Sequence, residues 1–519
     1  MTHLFLPLLA PLLLVIGAFA ARRNPGIRPG RYPQMAGWLA LAATAVSGLA
    51  AASLMLWGPG TSPLIGIAGV GLSVRLDVIS VTMLMLVSFI GWVVLRYSAT
   101  VMDGETRQGE FTGLMCAALA GVLLLVISGN LVQLAIGWIA TGAALHRLLL
   151  FYGDRPGARR AARKKAIVSR LGEAALLAAI VVLAFGYGTT DIATILANAG
   201  TTEAVGTTWT AAALLAVAAL LKSAQFPLHG WLTEVMEAPT PVSALLHAGV
   251  INGGGFLLIR FADVMLAAPG VLAILAMLGG FTALFGSLVM LTQPAVKTSL
   301  AWSTIAQMGF MILQCGFGLF PLALLHIVAH SLYKAHSFLS ASEAVAVVDQ
   351  ARRPGPVAIP GGRAVLRAFA IAVTIYCAVA LVVGIDDKAP QTLALGLILV
   401  FGTAYLLAQG LADAAPRQLT QRTALYALGA SLSYFTLQAA ATHLTAGTLP
   451  PPPTPDPLEW TLITLTLLSF GIVAVAQATF PLWAGHPAAA GLRVHLANGL
   501  YANAIFDRLL GGWSRQTQS

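Results

Sequence analysis

The chain has 519 residues, of which 58% are hydrophobic and only 9% charged, and its mean hydropathy is +0.84. Soluble globular chains carry about 25% charged residues, so a chain this apolar cannot cover a water-facing surface and belongs in a membrane. That excludes a soluble enzyme, a disordered tail and a secreted disulfide scaffold. It also reassigns the net charge of +10 from nucleic-acid binding to membrane orientation.

A spanning helix needs roughly 20 apolar residues. In chain order, about fifteen segments qualify: 4–20, 35–57, 76–95, 112–129, 131–151, 167–187, 209–228, 242–262, 271–291, 297–319, 321–344, 363–384, 391–412, 423–445 and 460–483. The first has no basic residue before it and Arg22 and Arg23 after it, so it reads as a retained helix and not a signal peptide. The runs are too long, and lack the alternation, for barrel strands. The predicted fold is therefore all-α, a polytopic bundle of about fifteen transmembrane helices, with room for interfacial pieces in 58–75 and 187–208.

Lys and Arg orient this bundle. With loop 21–34 (Arg22, Arg23, Arg28, Arg31) in the cytoplasm, alternation puts 96–111, 152–166, 345–362, 413–422 and the C-terminus inside as well. Those segments hold Arg96, Arg107, Arg155, Arg159, Arg160, Arg163, Lys164, Lys165, Arg352, Arg353, Arg417, Arg422, Arg493, Arg508 and Arg515. The opposite side receives Arg75, Arg260 and Lys388, together with the acids Asp191, Glu203, Asp386, Asp387, Asp456 and Glu459. This asymmetry predicts the N-terminus outside and the C-terminus cytoplasmic. The basic run 155–165 reads as a cytoplasmic loop contacting lipid phosphates, with a partner-docking surface as the alternative, and replacing Lys164 in it should do little. The run Leu449–Pro457 reads as a stiff outer link.

Cys116, Cys315 and Cys377 are far apart in apolar runs, so no iron–sulfur, c-type haem or structural zinc site is expected in this chain.

A charge at mid-bilayer costs roughly 2.5–3.5 kcal/mol on insertion scales, so each one needs a reason. Of six lysines, Lys222, Lys297 and Lys334 fall within or at the ends of expected spans. In LLKSAQFPLHGW, Pro227 deprives the Ser223 carbonyl of its helical partner, which predicts a break just after Lys222, with His229 beyond it. In TEVMEAPTPVSALLHA, Thr240 is the expected cap and Pro241 the first helical residue, which sets His247 two turns in and Glu234 and Glu237 near a positive helix start. His326, His330 and Lys334, spaced i, i+4, i+8, share one helix face. A titratable stripe along an apolar helix has the form of a proton relay, and desolvation favours the uncharged form of both residue types. Arg170 and Glu173 read as an i, i+3 ion pair, or Glu173 as the acid that eases the charge on Lys222. Gly253–Gly255 reads as a close helix contact.

These stretches resemble the proton-translocating antiporter-like subunits of respiratory complex I, Mrp antiporters and membrane hydrogenases. The resemblance is carried by LLKSAQFPLHGWLTEVMEAPTPVSALLHA, PAVKTSLAWSTIAQMGFM and HIVAHSLYKAHSFL, and spans roughly residues 110–345. It implies Lys222, His247, Lys297, His326, His330 and Lys334 as pathway residues, in two inverted repeats with discontinuous helices. The implied division is 1–110 as N-terminal helices, 111–412 as the antiporter-like core with a degenerate second repeat, and 413–519 as C-terminal helices and tail.

Departures from that family sharpen the reading. Ile139 follows Trp138 where the family has a glutamate, 391–412 contains no lysine, and the Gly-Ile-Pro-Pro signature and the long lateral helix are absent. In these respects, and in ALHRLLLFYGDRPGARRAARKKAIVSRLGEAAL, LLHAGVINGGGFLLIRFADVM and VHLANGLYANAIFDRLLGGW, the chain is similar to the DabB membrane subunits of two-part inorganic carbon accumulation systems. That resemblance implies a cation path, for H+ in preference to Na+, and no catalysis on this chain. It also implies a cytoplasmic DabA-like partner, a zinc protein resembling β-carbonic anhydrases, which carries the only metal. The competing readings are a subunit of a redox-driven pump or Mrp complex and a purely structural anchor; the intramembrane lysines and histidines argue against the last.

Overall fold

The computed structural model describes residues 2–67, 69–200, 205–350, 361–384, 388–411, 417–483 and 485–509; Glu203, Arg352, Arg353, Asp386, Asp387 and Arg515 lie outside them. Each of the fifteen expected segments coincides with a helical span. They are α1 (His3–Ala21), α2 (Tyr32–Trp57), α3 (Val78–Val101), α4 (Gln108–Val126), α5 (Leu131–Leu149), α6 (Pro156–Tyr187), α7 (Val205–Lys222), α8 (Thr240–Arg260) and α9 (Pro269–Met290). After these come α10 (Val296–Gly316), α11 (Phe320–Gln350), α12 (Gly362–Val383), α13 (Pro390–Gly410), α14 (Arg417–Thr445) and α15 (Pro457–Ala478). Among the described residues, eleven of them are long and apolar enough to cross a membrane by length and composition. Outward-facing apolar side chains such as Met55, Phe185 and Val382, each more than 80% exposed, suit a lipid surface.

Connections alternate between two faces, as successive crossings require. On one face Tyr152 donates to Glu105 (2.7 Å), Arg155 meets Glu237 (3.5 Å), the Glu110 amide donates to Pro25 (3.0 Å) and Gln293 donates to Ala497 (3.3 Å). On the other, Gly129 donates to Ser73 (2.9 Å), Leu131 to Thr190 (2.9 Å) and Gln391 to Pro453 (2.8 Å). The expected interfacial pieces are two short β-hairpins within 60–76 and a helix Ile192–Asn198, both on this second face.

Helices α1 to α11 share one large apolar core, whereas α12, α13 and α14 build a smaller separate cluster. Local chemistry sets the ends: Asp77 caps α3 through the Ser80 amide (2.8 Å) and Asn130 caps α5 through the Gln133 amide (2.8 Å). Asp77 also accepts a bidentate bond from Arg260 (2.5 and 3.2 Å) and one from Arg75 (2.8 Å), while Arg260 reaches Ser80 (2.6 Å). Burial alone would raise the Asp77 pKa, but the two guanidiniums hold it below the usual carboxylate range.

Three expectations need correction. The basic run 155–165 is not a loop: α6 begins at Pro156 and is 32 residues long, about 48 Å against a hydrocarbon core of about 30 Å. Its first turns therefore carry the basic residues, and both Lys164 and Lys165 are buried. Span α8 is not continuous, because helix Thr240–Ala248 gives way at Gly249 to a 3-10 turn, Val250–Asn252, before helix Gly253–Arg260. Its N-cap is Pro239, and Thr240 is already helical.

Candidate functional site

The break after Lys222 forms as Pro227 requires. Helix α7 ends at Lys222, Ala224 takes a left-handed φ of 49°, and the Ser223 carbonyl accepts a side-chain bond from Gln225 (2.7 Å) in place of the missing amide. Ser223 Oγ in turn donates to the carbonyl of Ile251 (3.3 Å), so the break in α7 lies against the break in α8. Glycine permits that approach. A Cβ at Gly254 would stand 2.3 Å from Ser223 Oγ and 2.5 Å from the Ala219 carbonyl oxygen.

Lys222 Nζ lies 4.5 Å from the centre of the Trp138 ring, within cation–π range. Around it Trp138, Lys165, Gly172, Trp231, Leu246 and Ile251 help to line a cavity of about 20 Å3, space for roughly one water. Glu173, which is buried and bonded to exposed Arg170 (2.6 Å), is the carboxylate in electrostatic reach of Lys222 and Lys165.

The stripe on α11 packs against the other side of the α8 break. His247, fully buried, bonds Thr304 through Nδ1 (3.0 Å) and stacks on Phe338 with ring centres 4.3 Å apart. Its carbonyl accepts from His330 Nε2 (3.1 Å), and His330 Nδ1 meets Gln307 Oε1 (2.5 Å). Lys334, fully buried, donates to Ser303 Oγ (2.8 Å) and the Leu300 carbonyl (3.2 Å). His326 continues the row, its ring centre 6.0 Å from that of His330. Asn252, in the turn, ties α8 to α11 through Ser331 Oγ (2.8 Å). His247 Nε2, Asn252 Oδ1 and Trp231 Nε1 are buried and find no partner among the described residues, so this region holds polar atoms that hydration would satisfy.

The remaining expected residues stand apart from this line. His229 is boxed by Phe226, Phe285 and Trp302, with ring centres at 5.8, 5.7 and 4.9 Å, and burial lowers its pKa to about 4. Glu237 is half-exposed and paired with Arg155, and Lys297 sits half-exposed in the first turn of α10. Sequence reasoning missed Thr304, Gln307 and Ser303, the polar row of α10 that faces the stripe. It also missed Lys165, although that lysine falls on the buried row Ala158, Ala161, Lys165, Val168, Gly172, Leu176 at helical spacing. Among the described residues, no group of three or more His, Cys, Asp or Glu side chains is placed to hold a metal ion.

Comparison with known proteins places the chain in a family. Residues 128–353 match the family described as NADH:quinone oxidoreductase/Mrp antiporter, TM, and residues 65–112 match the N-terminus of complex I chain 5. The chain is 38% identical over 514 residues to the probable inorganic carbon transporter subunit DabB2 of Halothiobacillus neapolitanus, covering 96% of this chain and 92% of that one. It is 48% identical over 268 residues to the probable subunit DabB of Hydrogenovibrio crunogenus, covering 51% and 52% of the two chains. In fold it is similar to a chain of the Mrp complex from a Dietzia species, with a TM-score of 0.63 at 24% identity over 97% of this chain and 59% of that one. With paired helix breaks around a lysine, a His-His-Lys stripe and a near full-length match, the chain belongs to the DabB family of inorganic carbon transporter subunits, a branch of the antiporter-like membrane proteins.

Proposed function

We propose that this chain conducts a cation, H+ in our reading, as the membrane subunit of a two-component complex that accumulates inorganic carbon. One observation carries this reading: Lys222 and its cavity abut the α8 break, whose His247 carbonyl holds His330 beside Lys334. Buried amines and imidazoles lie on the two sides of the paired breaks, so that water in the gap would let protons step between them. The names of the similar subunits support inorganic carbon as the cargo.

In this reading the chain is not itself an enzyme and carries no cofactor. Its partner is a cytoplasmic DabA-like zinc protein resembling β-carbonic anhydrases, on whose zinc CO2 hydration takes place, and proton flow through this chain makes hydration effectively one-way. The protein sits in a bacterial inner membrane, with the face bearing Arg155, Arg159 and Arg160 in the cytoplasm. Residues 111–412 form the conducting core between the N-terminal helices and the C-terminal helices and tail.

The test is Lys222→Ala and Lys222→Arg in the intact complex. Both should abolish growth at low CO2 and proton flux in proteoliposomes while assembly and partner zinc persist, since Arg stays protonated. Near-normal function of Lys222→Arg overturns the relay. The shared Mrp fold gives the second reading, an antiporter-like subunit of an ion-exchanging or redox-driven complex. It would be favoured by Na+-dependent flux from a complex that hydrates no CO2.

A further inference from the structure

Lys165 was placed by charge counting among the cytoplasmic basic residues, yet it is 4% exposed and its ammonium donates to the main-chain carbonyl of Gly142 (2.8 Å). It lines the same cavity as Lys222. Two amines that share a space of about one water repel strongly when both are charged, because low-dielectric walls screen little. The titratable and charged groups around them are few. Helix α6 adds Glu173 and Arg170, α5 adds His146, and α8 presents Leu246, Val250 and Ile251. One carboxylate, already bonded to Arg170, faces two amines.

We infer that Lys165 is the second amine of the Lys222 site, and that the pair with Glu173 holds one mobile proton at a time. Arrival of a proton on Lys165 expels the one on Lys222 toward the α8 break, and the lone pair left on Lys222 accepts the next. The step is proton transfer between amines, directly or through one water, so no bond other than N–H changes and no co-reactant is needed. Lys165 thereby supplies the mobile charge that discharges Lys222 from the side of the basic face.

This inference rests on the relay reading of Lys222, and its test separates the two. Proton flux is measured against pH in proteoliposomes of the whole complex carrying Lys165→Gln or Lys165→Arg, beside wild type and Lys222→Ala. Lys165→Gln removes the repulsion, so Lys222 keeps its proton longer and the flux midpoint moves to higher pH, by about one unit. Lys165→Arg keeps a donor for the Gly142 carbonyl but fixes the repulsion, so the midpoint moves to lower pH and the maximal flux falls. A purely structural role for Lys165 would change yield or amplitude and leave the midpoint alone. Unmoved midpoints in assembled variants, with Lys222→Ala still silent, overturn the pair while the relay stands. A conducting Lys222→Ala overturns both. If Lys165→Gln fails to assemble, the direction of the shift in Lys165→Arg decides.

Discussion

His330 is pinned to His247 by a bond from its Nε2 to the main-chain carbonyl of that residue, 3.1 Å long. The carbonyl can only accept, so this bond fixes the Nε2–H tautomer. His330 Nδ1 is left facing the Gln307 amide, which can present oxygen to a protonated ring or nitrogen to a neutral one. The amide therefore serves both states of the ring.

Gln307→Glu removes that neutrality. A carboxylate beside Nδ1 favours the protonated ring by about 1.5–3 kcal/mol, the worth of a charged hydrogen bond. Proton flux should fall roughly tenfold or more, with normal assembly, while Gln307→His should be milder. Unchanged flux in Gln307→Glu would remove His330 from the path.

Lys164 is expected to matter for folding, against the reading of it as a loop residue. It is 2% exposed and holds Glu234, Asn503 Oδ1 (2.8 Å) and Asp507 (2.5 Å), fastening helix Ala502–Leu509 to the core. Lys164→Ala removes the buried cation that Glu234 and Asp507 share, leaving the exposed Arg160 (3.5 Å) beside Glu234, and should cost about 3 kcal/mol. Limited proteolysis should then cut near residue 500 in the variant but not in wild type.

Adjacent glycines should respond differently. Gly254→Ala places a methyl on backbone and should cost about 1–3 kcal/mol through forced displacement. A Cβ at Gly253 would meet Lys222 Cε at 3.4 Å, an ordinary contact. Gly253→Ala should therefore fold with a near-native melting temperature and still slow proton flux by crowding the Lys222 stem. Equal melting temperatures for the two variants would refute this account of the contact.

Acid should weaken the fold at His229. Its pKa drops from 6.5 to about 4 on burial, so the folded state prefers the neutral ring. That preference contributes fully above about pH 6.5 and fades as pH falls toward 4, at up to about 1.4 kcal/mol per unit. His229→Gln should flatten the decline in melting temperature between pH 7 and pH 5. An identical slope would mean that other groups set the acid limb.

Orientation is checked with single cysteines at 160 and 452 in a chain freed of Cys116, Cys315 and Cys377. An impermeant thiol reagent added outside intact cells should label 452 and spare 160. Labelling at 160 alone inverts the topology.

The spans, the break at Pro227 and the His-His-Lys face were legible because each rests on local pattern: apolar length, a missing amide, a spacing of four. The second break, at Gly249, was not. Its glycines were read as packing, and only the approach of Ser223 shows that two breaks meet. Lys165 was hidden by composition, since it sits in a run of basic residues whose neighbours Arg159 and Arg160 face solvent. The pairing of Asp77 with Arg260 joins residues 183 apart, and no pattern in one sequence announces it.

That pairing has a mechanical consequence. Arg260 bolts the far end of α8 to the cap of α3, so helix Gly253–Arg260 is anchored at its tip and wedged at its base by Ser223 and Met311. Any tilt of α8 is thereby confined to Thr240–Ala248, a lever of nine residues and about 13 Å pivoting at Gly249. His247 rides at the pivot end of this lever, where a rotation turns the side chain and hardly translates it. Tilting that lever would break the Thr304 bond to the His247 ring and the His330 bond to its carbonyl together, so these two contacts hold the lever in place.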